Sequence, residues 1–187
     1  PISIDTRSSK VAMAFEEHDI HFINDVSSGF HDSNMLDTVS KLGCAFIMTH
    51  MPREHKEGKV KDFENIVAEI SAYFIERIES CKKAGIGAEK LIIDPGVGFG
   101  KSGEDNITLL KNIESLKRVH EKVCIGSSNK RYSSRLFENV QTKEDLRIAN
   151  LATFATSTLS HATYLRVHDV ELTKDTVQVM SKAMSLT

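Results

Sequence analysis

Asp5, Asn24 with Asp25, His50, Asp94, Ser128 with Lys130, and Arg166 with His168 all stand where a short apolar run gives way to polar residues. A carboxylate accepts paired N–H donors, and an Asn side chain both donates and accepts. Two carboxylates and an amide on one rim can therefore read the edge of a nitrogen heterocycle. Lys130, Arg166 and His168 add positive charge suited to an anion such as diphosphate. The set fits an uncharged heterocycle with a phosphorylated arm. Taken singly, each residue has a plainer use. A strand-end carboxylate such as Asp25 often caps the turn that follows, and a lone His50 is more often a hydrogen-bonded structural residue than a catalyst.

The glycine-rich stretch from Asp94 to Ser102 comes within one residue of two phosphate-binding signatures and meets neither. A Walker A loop ending Gly100-Lys101-Ser102 needs Gly at position 95, which is Pro95. A G-x-G-x-x-G fingerprint from Gly96 needs Gly at position 101, which is Lys101. The plain reading is a tight turn leaving a strand, held alongside a substrate-facing role for Asp94 and Phe99. His18 and His21 straddle a helix end and a strand start, a poor arrangement for a shared metal. Cys44, Cys81 and Cys124 are widely spaced and form no C-x-x-C pair, which argues against a disulfide framework and for a reduced, cytoplasmic setting. No G-x-S-x-G elbow appears.

Six apolar runs position these groups: Ile2–Asp5, Phe22–Asp25, Ala45–His50, Leu91–Asp94, Val123–Gly126 and Tyr164–His168. Runs this short and this rich in Ile, Val and Phe suit buried parallel strands. Helical patterns alternate with them. From Phe63 to Ala84 the residues Phe63, Ile66, Val67, Ile70, Phe74 and Ile78 mark one buried face, and Gly85 stands at the C-terminal cap. Ser8 or Ser9 caps a helix carrying Val11, Thr142 with Asp145 opens another, and Thr173 opens the last. Weaker helical signals follow Asn34 and Glu104. The charged loop from Pro52 to Asp62 offers little to bury and is expected to be mobile.

Strict alternation of strand and helix means an α/β fold with a parallel sheet. Six units in 187 residues average about 31 each, and eight would make about 250, the usual length of a (β/α)8 barrel. A single barrel domain over residues 1–187 is therefore expected, incomplete because six units cannot close it. A flavodoxin-like open sheet is the alternative from pattern alone. A net charge of -2 and a pI near 6.5 give no footprint for nucleic acid or a membrane surface, and no apolar run reaches the ~18 residues of a membrane span.

At these motifs the sequence resembles the dihydropteroate synthases. The matching segments are Ser3-Ile4-Asp5-Thr6, Ile23-Asn24-Asp25-Val26, Ile47-Met48-Thr49-His50, Ile93 to Lys101, and Arg166-Val167-His168-Asp169-Val170, in family order from end to end. The resemblance implies a (β/α)8 barrel, with strands 3 to 8 present here and the first two lying upstream, that joins 4-aminobenzoate to a 6-hydroxymethyl-dihydropterin diphosphate and releases diphosphate. It implies that Asp5, Asn24 and Asp94 bind the pterin ring, that Val26, Met48 and Phe99 line its pocket, and that Lys130 touches the pterin. Arg166 and His168 would hold the diphosphate. Lys130, Arg166 and His168 are thus the candidate catalytic residues. The reaction would be dissociative, so catalysis is positioning and charge stabilisation with no protein nucleophile. A homodimer is implied as well, and so is Mg2+, whose Asn ligand belongs to the family's opening strands and is not expected among these residues.

The loop after the seventh barrel strand departs from the family. Ser128-Asn129-Lys130-Arg131 stands where Ser-Arg-Lys followed by Ser or Arg is usual. Ser128 and Lys130 are kept as substrate-binding positions, and Arg131 becomes the guanidinium expected to meet the aminobenzoate carboxylate. Two other classes compete with the synthase. One is a non-catalytic pterin-binding domain, and the other is the pterin domain of a corrinoid-dependent methyltransferase. The Arg-Val-His-Asp-Val ending favours the synthase over the methyltransferase.

Overall fold

A computed structural model describes residues 1–128 and 142–185. Among these residues six strands run in chain order: β1 (Ser3–Asp5), β2 (Phe22–Asp25), β3 (Ala45–Thr49), β4 (Leu91–Asp94), β5 (Cys124–Ile125) and β6 (Tyr164–Leu165). β1 to β4 pair in parallel, as do β5 and β6, and a parallel bridge between Ile93 and Val123 joins the two groups. Helices α1 (Ser9–Met13), α2 (Met35–Leu42), α3 (Arg53–Lys56), α4 (Ile66–Lys83), α5 (Gly103–Lys111), α6 (Ile113–Lys117), α7 (Lys143–Leu159) and α8 (Val170–Met184) fill the connections. The sheet curves far enough for its last strand to reach its first two. Arg166, just past β6, approaches Asp5 at 3.5 Å, and the Phe22 and Tyr164 rings meet edge-on at 6.4 Å. The result is the wall of a (β/α)8 barrel, represented by six strand–helix units.

Four helix starts are written in the sequence as side-chain caps. Ser8 caps α1 and Asn65 caps α4, each accepting a hydrogen bond from a first-turn backbone N–H. Thr142 and Asp145 form a reciprocal capping box at α7, and Ser102 with Asp105 does the same at α5. Past α4 the chain turns back at Gly85, with φ +85°, and Ile86 N–H reaches the Cys81 carbonyl. The last helix differs from expectation. It begins at Val170 under an Asp169 cap, so Thr173 lies inside its first turn with its hydroxyl on the Asp169 carbonyl. The charged segment from Pro52 to Asp62 carries structure of its own. It holds the one-turn α3 and docks on the glycine-rich loop through Lys61 N–H to the Gly100 carbonyl.

The principal core lies between sheet and helices. Ile23, Phe46, Met48, Leu91, Ile93 and Ile125 face outward onto Ile70, Phe74 and Cys81 of α4 and Leu109 of α5. A second, smaller cluster of Ile47, Ile92 and Cys124, with Phe22 and Ala45 packed on it, fills the inside of the curved sheet. These two clusters fix the phase of every strand.

Candidate active site

Successive strand side chains point to opposite faces. Phe22, Ile47, Ile92 and Cys124 point inward, so the next inward positions toward the C-terminal rim are Asn24, Thr49, Asp94 and Gly126. Ile4 and Leu165 pack outward, which turns Asp5 and Arg166 inward as well.

These residues touch. Asn24 Nδ2 donates to Asp5 Oδ2 at 2.9 Å. Arg166 spans the two carboxylates, with Nη1 3.5 Å from Asp5 Oδ2 and Nη2 3.9 Å from Asp94 Oδ2. The guanidinium lies across β5 because position 126 is glycine: a Cβ there would stand 2.7 Å from Arg166 Nη2. Asn24 and Asp94 are both 1% exposed, whereas the Asp5 side chain on the edge strand is 61% exposed. Buried Asn24 Oδ1, Thr49 Oγ1 and Arg166 Nε make no hydrogen bond among the described residues. Nearer the rim, His168 Nδ1 lies 2.9 Å from Ser128 Oγ.

The loop after β4 is braced against β3. Asp94 Oδ1 accepts from Gly96 N–H at 2.8 Å. Gly96 has φ +70°, and a Cβ there would lie 2.0 Å from the His50 carbonyl oxygen, so only glycine fits. Lys101 is 3% exposed, and its ammonium donates to the His50, Gly96 and Phe99 carbonyls at 3.2, 2.9 and 3.1 Å. Three donors meet three acceptors, so the buried cation acts as a clamp on the loop. Phe99 is half-buried, its ring edge-on to His55 of α3 at 5.0 Å.

Other expected site residues have different places. Met48 faces outward, with its sulfur 3.5 Å from Cys81 Sγ in the helix-side core, so it does not line the pocket with Asn24. The phase of β3 gives that place to Thr49. Asp25 is fully consumed by its own turn: Oδ1 accepts from Ser27 N–H and Oγ–H at 2.7 and 2.6 Å, and Oδ2 accepts from Gly29 N–H at 2.8 Å. His50 continues the outward phase and packs on Tyr73 and Phe63 at 4.8 and 6.2 Å. Burial, reinforced by the Lys101 and Lys61 charges, holds its pKa down at about 2, so the ring is neutral. Val26 is half-buried one residue beyond β2. Asn129, Lys130 and Arg131 lie outside the described residues.

Cys44, Cys81 and Cys124 are buried free thiols. Burial raises the pKa of each, that of Cys81 to about 11, so none is a poised nucleophile. Among the described residues no group of three or more His, Cys, Asp or Glu side chains could hold a metal, and no helix is long and apolar enough to cross a membrane.

Known proteins share both sequence and fold. Residues 1–168 match the family described as pterin binding enzyme. The chain belongs to that family. It is 31% identical over 185 residues to the dihydropteroate synthase of Escherichia coli, covering 98% of this chain and 64% of that protein. It is 30% identical to a mitochondrial folate synthesis bifunctional protein of Pisum sativum, covering 95% of this chain and 37% of that one. The chain thus spans just under two thirds of the bacterial relative. Among solved structures, Xanthomonas albilineans dihydropteroate synthase with 4-aminobenzoic acid superposes with a TM-score of 0.91 at 32% identity, covering all of this chain and 69% of that one. The same enzyme in complex with 7,8-dihydropteroate gives a TM-score of 0.90.

Proposed function

We propose that the protein is a transferase of folate biosynthesis that condenses 4-aminobenzoate with 6-hydroxymethyl-7,8-dihydropterin diphosphate. The observation that carries this reading is the buried inner-face pair Asn24 and Asp94, joined to Asp5 and Arg166 at the rim of a pterin-family barrel. The Xanthomonas albilineans relative binds both 4-aminobenzoic acid and 7,8-dihydropteroate, which supports the choice of substrate and product.

In this reading Asp94 accepts the paired N–H donors of the pterin edge while Asn24 Oδ1 takes a third. Arg166, with His168 held by Ser128, faces the diphosphate. The C–O bond to the diphosphate breaks with its electron pair going to the leaving oxygen. The guanidinium stabilises that growing negative charge. The aminobenzoate nitrogen then bonds to the exposed methylene carbon and loses a proton. No protein nucleophile is required, in keeping with the three buried thiols. Contact of Lys130 with the pterin, and of Arg131 with the aminobenzoate carboxylate, completes the reading. Mg2+ and a homodimer belong to the proposal on the family resemblance alone, and a cytoplasmic location on the free cysteines. The described residues offer no metal-ligand set, so no step here runs through the ion.

The test is diphosphate release by the full-length protein supplied with the pterin diphosphate and Mg2+, with and without 4-aminobenzoate. Aminobenzoate-dependent release together with dihydropteroate is expected. No aminobenzoate dependence would overturn the synthase reading.

A further inference from the structure

Thr49 is wholly buried, and its hydroxyl has no hydrogen-bond partner among the described residues. Its own carbonyl is occupied by the Ser28 hydroxyl at 2.9 Å, but that bond leaves Oγ1 unserved. An unmet buried hydroxyl is costly, and valine has nearly the same shape without that cost. The position is also directed. Thr49 is the register partner of Asp94, and side chains of paired residues on adjacent strands, about 4.8 Å apart, project from the same face of a sheet. It lies one inward step nearer the rim than Ile47, which is the register partner of Asn24. On this same face Asn24 Oδ1 and Arg166 Nε are likewise buried and unmet. One acceptor, one donor and one hydroxyl able to play either part converge there.

We infer that the Thr49 hydroxyl is a ring-recognition group, bonding to a heteroatom of the heterocycle that Asp94 and Asn24 hold. The inference rests on the pterin reading of this site and adds a residue to it. Thr49 thereby contributes to selection among heterocycles, favouring a polar atom at the ring position it meets over a carbon. Because a hydroxyl rotates, it can donate to a ring nitrogen or carbonyl, or accept from a ring N–H.

The experiment measures binding of 6-hydroxymethylpterin to the full-length protein by calorimetry, for the parent, Thr49→Val, Thr49→Ser and Asp94→Asn, with a melting curve for each. Thr49→Val is expected to weaken binding roughly 5- to 30-fold, the loss of one buried hydrogen bond. Its unliganded melting point should at the same time rise by about 2–4 °C, because an unmet hydroxyl has gone. Thr49→Ser should keep affinity within about threefold of the parent, since a single hydrogen bond of ordinary strength is retained. Valine binding as tightly as the parent, or serine weakened as much as valine, would overturn the inference. If Asp94→Asn still weakens binding in that case, the pterin reading stands and only the role of Thr49 falls. A parent that does not bind the pterin would remove both.

Discussion

Asp25 and Asp94 close β2 and β4, the strands on either side of β3, and both are fully buried, yet the turns behind them use their carboxylates differently. After β2, three donors from Ser27 and Gly29 take up both oxygens of Asp25. After β4, Gly96 takes one oxygen of Asp94 while the other faces Arg166 across the barrel interior. Strand phase produces the contrast. Asp25 points outward with Ile23, into the turn, and Asp94 points inward with Ile92. The β4 turn can leave a carboxylate oxygen facing inward because Lys101 holds it by three carbonyls, so the loop does not need the acid to hold it together. A buried acid at a strand end is thus a structural part or a ligand-reading part according to which side of the sheet it leaves.

Exchanging each acid for its amide sharpens that contrast. Asp25→Asn sets an NH2 group against backbone N–H donors and should cost ~2–4 kcal/mol of stability, read by urea unfolding. Asp94→Asn should cost far less stability and should weaken pterin binding at least tenfold. Similar stability losses in the two variants would break the comparison. Lys101→Met tests the clamp. It leaves three carbonyls of the β4 turn without their donor and should cost ~1–3 kcal/mol while lowering pterin affinity through a loosened loop. The smallest effect concerns His50. With a folded pKa of about 2 against an ordinary 6.5, the unfolded chain binds the proton more readily. The contribution of the neutral ring is complete above about pH 6.5 and is lost as pH falls toward the folded value. Between pH 7 and 5.5 that loss should be about 1 kcal/mol. His50→Phe should flatten that part of the stability–pH curve, and an unchanged slope would place the acid sensitivity elsewhere.

Much of the scaffold is legible in the residues. The bounds of β2 and β4 coincide with the apolar runs, and the α7 capping box is written in Thr142 and Asp145. The site is legible where residue type alone decides: Asp5, Asn24, Asp94 and Arg166 stand together. What escapes is phase. Ala45–Thr49 is buried on both faces, so Phe46, Ile47 and Met48 show no alternation, and nothing local tells that Met48 faces α4 while Thr49 faces inward. The register with β4 supplies that information, and it is long-range. Lys101 is hidden for a similar reason. Its partners are backbone carbonyls, which carry no sequence signature, and one of them lies 51 residues away. The start of α8 is missed because its cap, Asp169, sits within a motif that reads first as chemistry.

The three thiols have a consequence for the behaviour of the molecule in time. Cys81 sits in the layer between sheet and helices, and Cys124 lies in the cluster inside the sheet. Neither presents a thiolate to solvent at neutral pH, so alkylation or oxidation at either must wait for a local opening. The two sulfurs lie on opposite sides of one sheet. Loosening of the helical coat exposes the first, and only a parting of the strands exposes the second. Unequal modification rates at the two would therefore distinguish a peeling of the outer layer from a breach of the barrel wall.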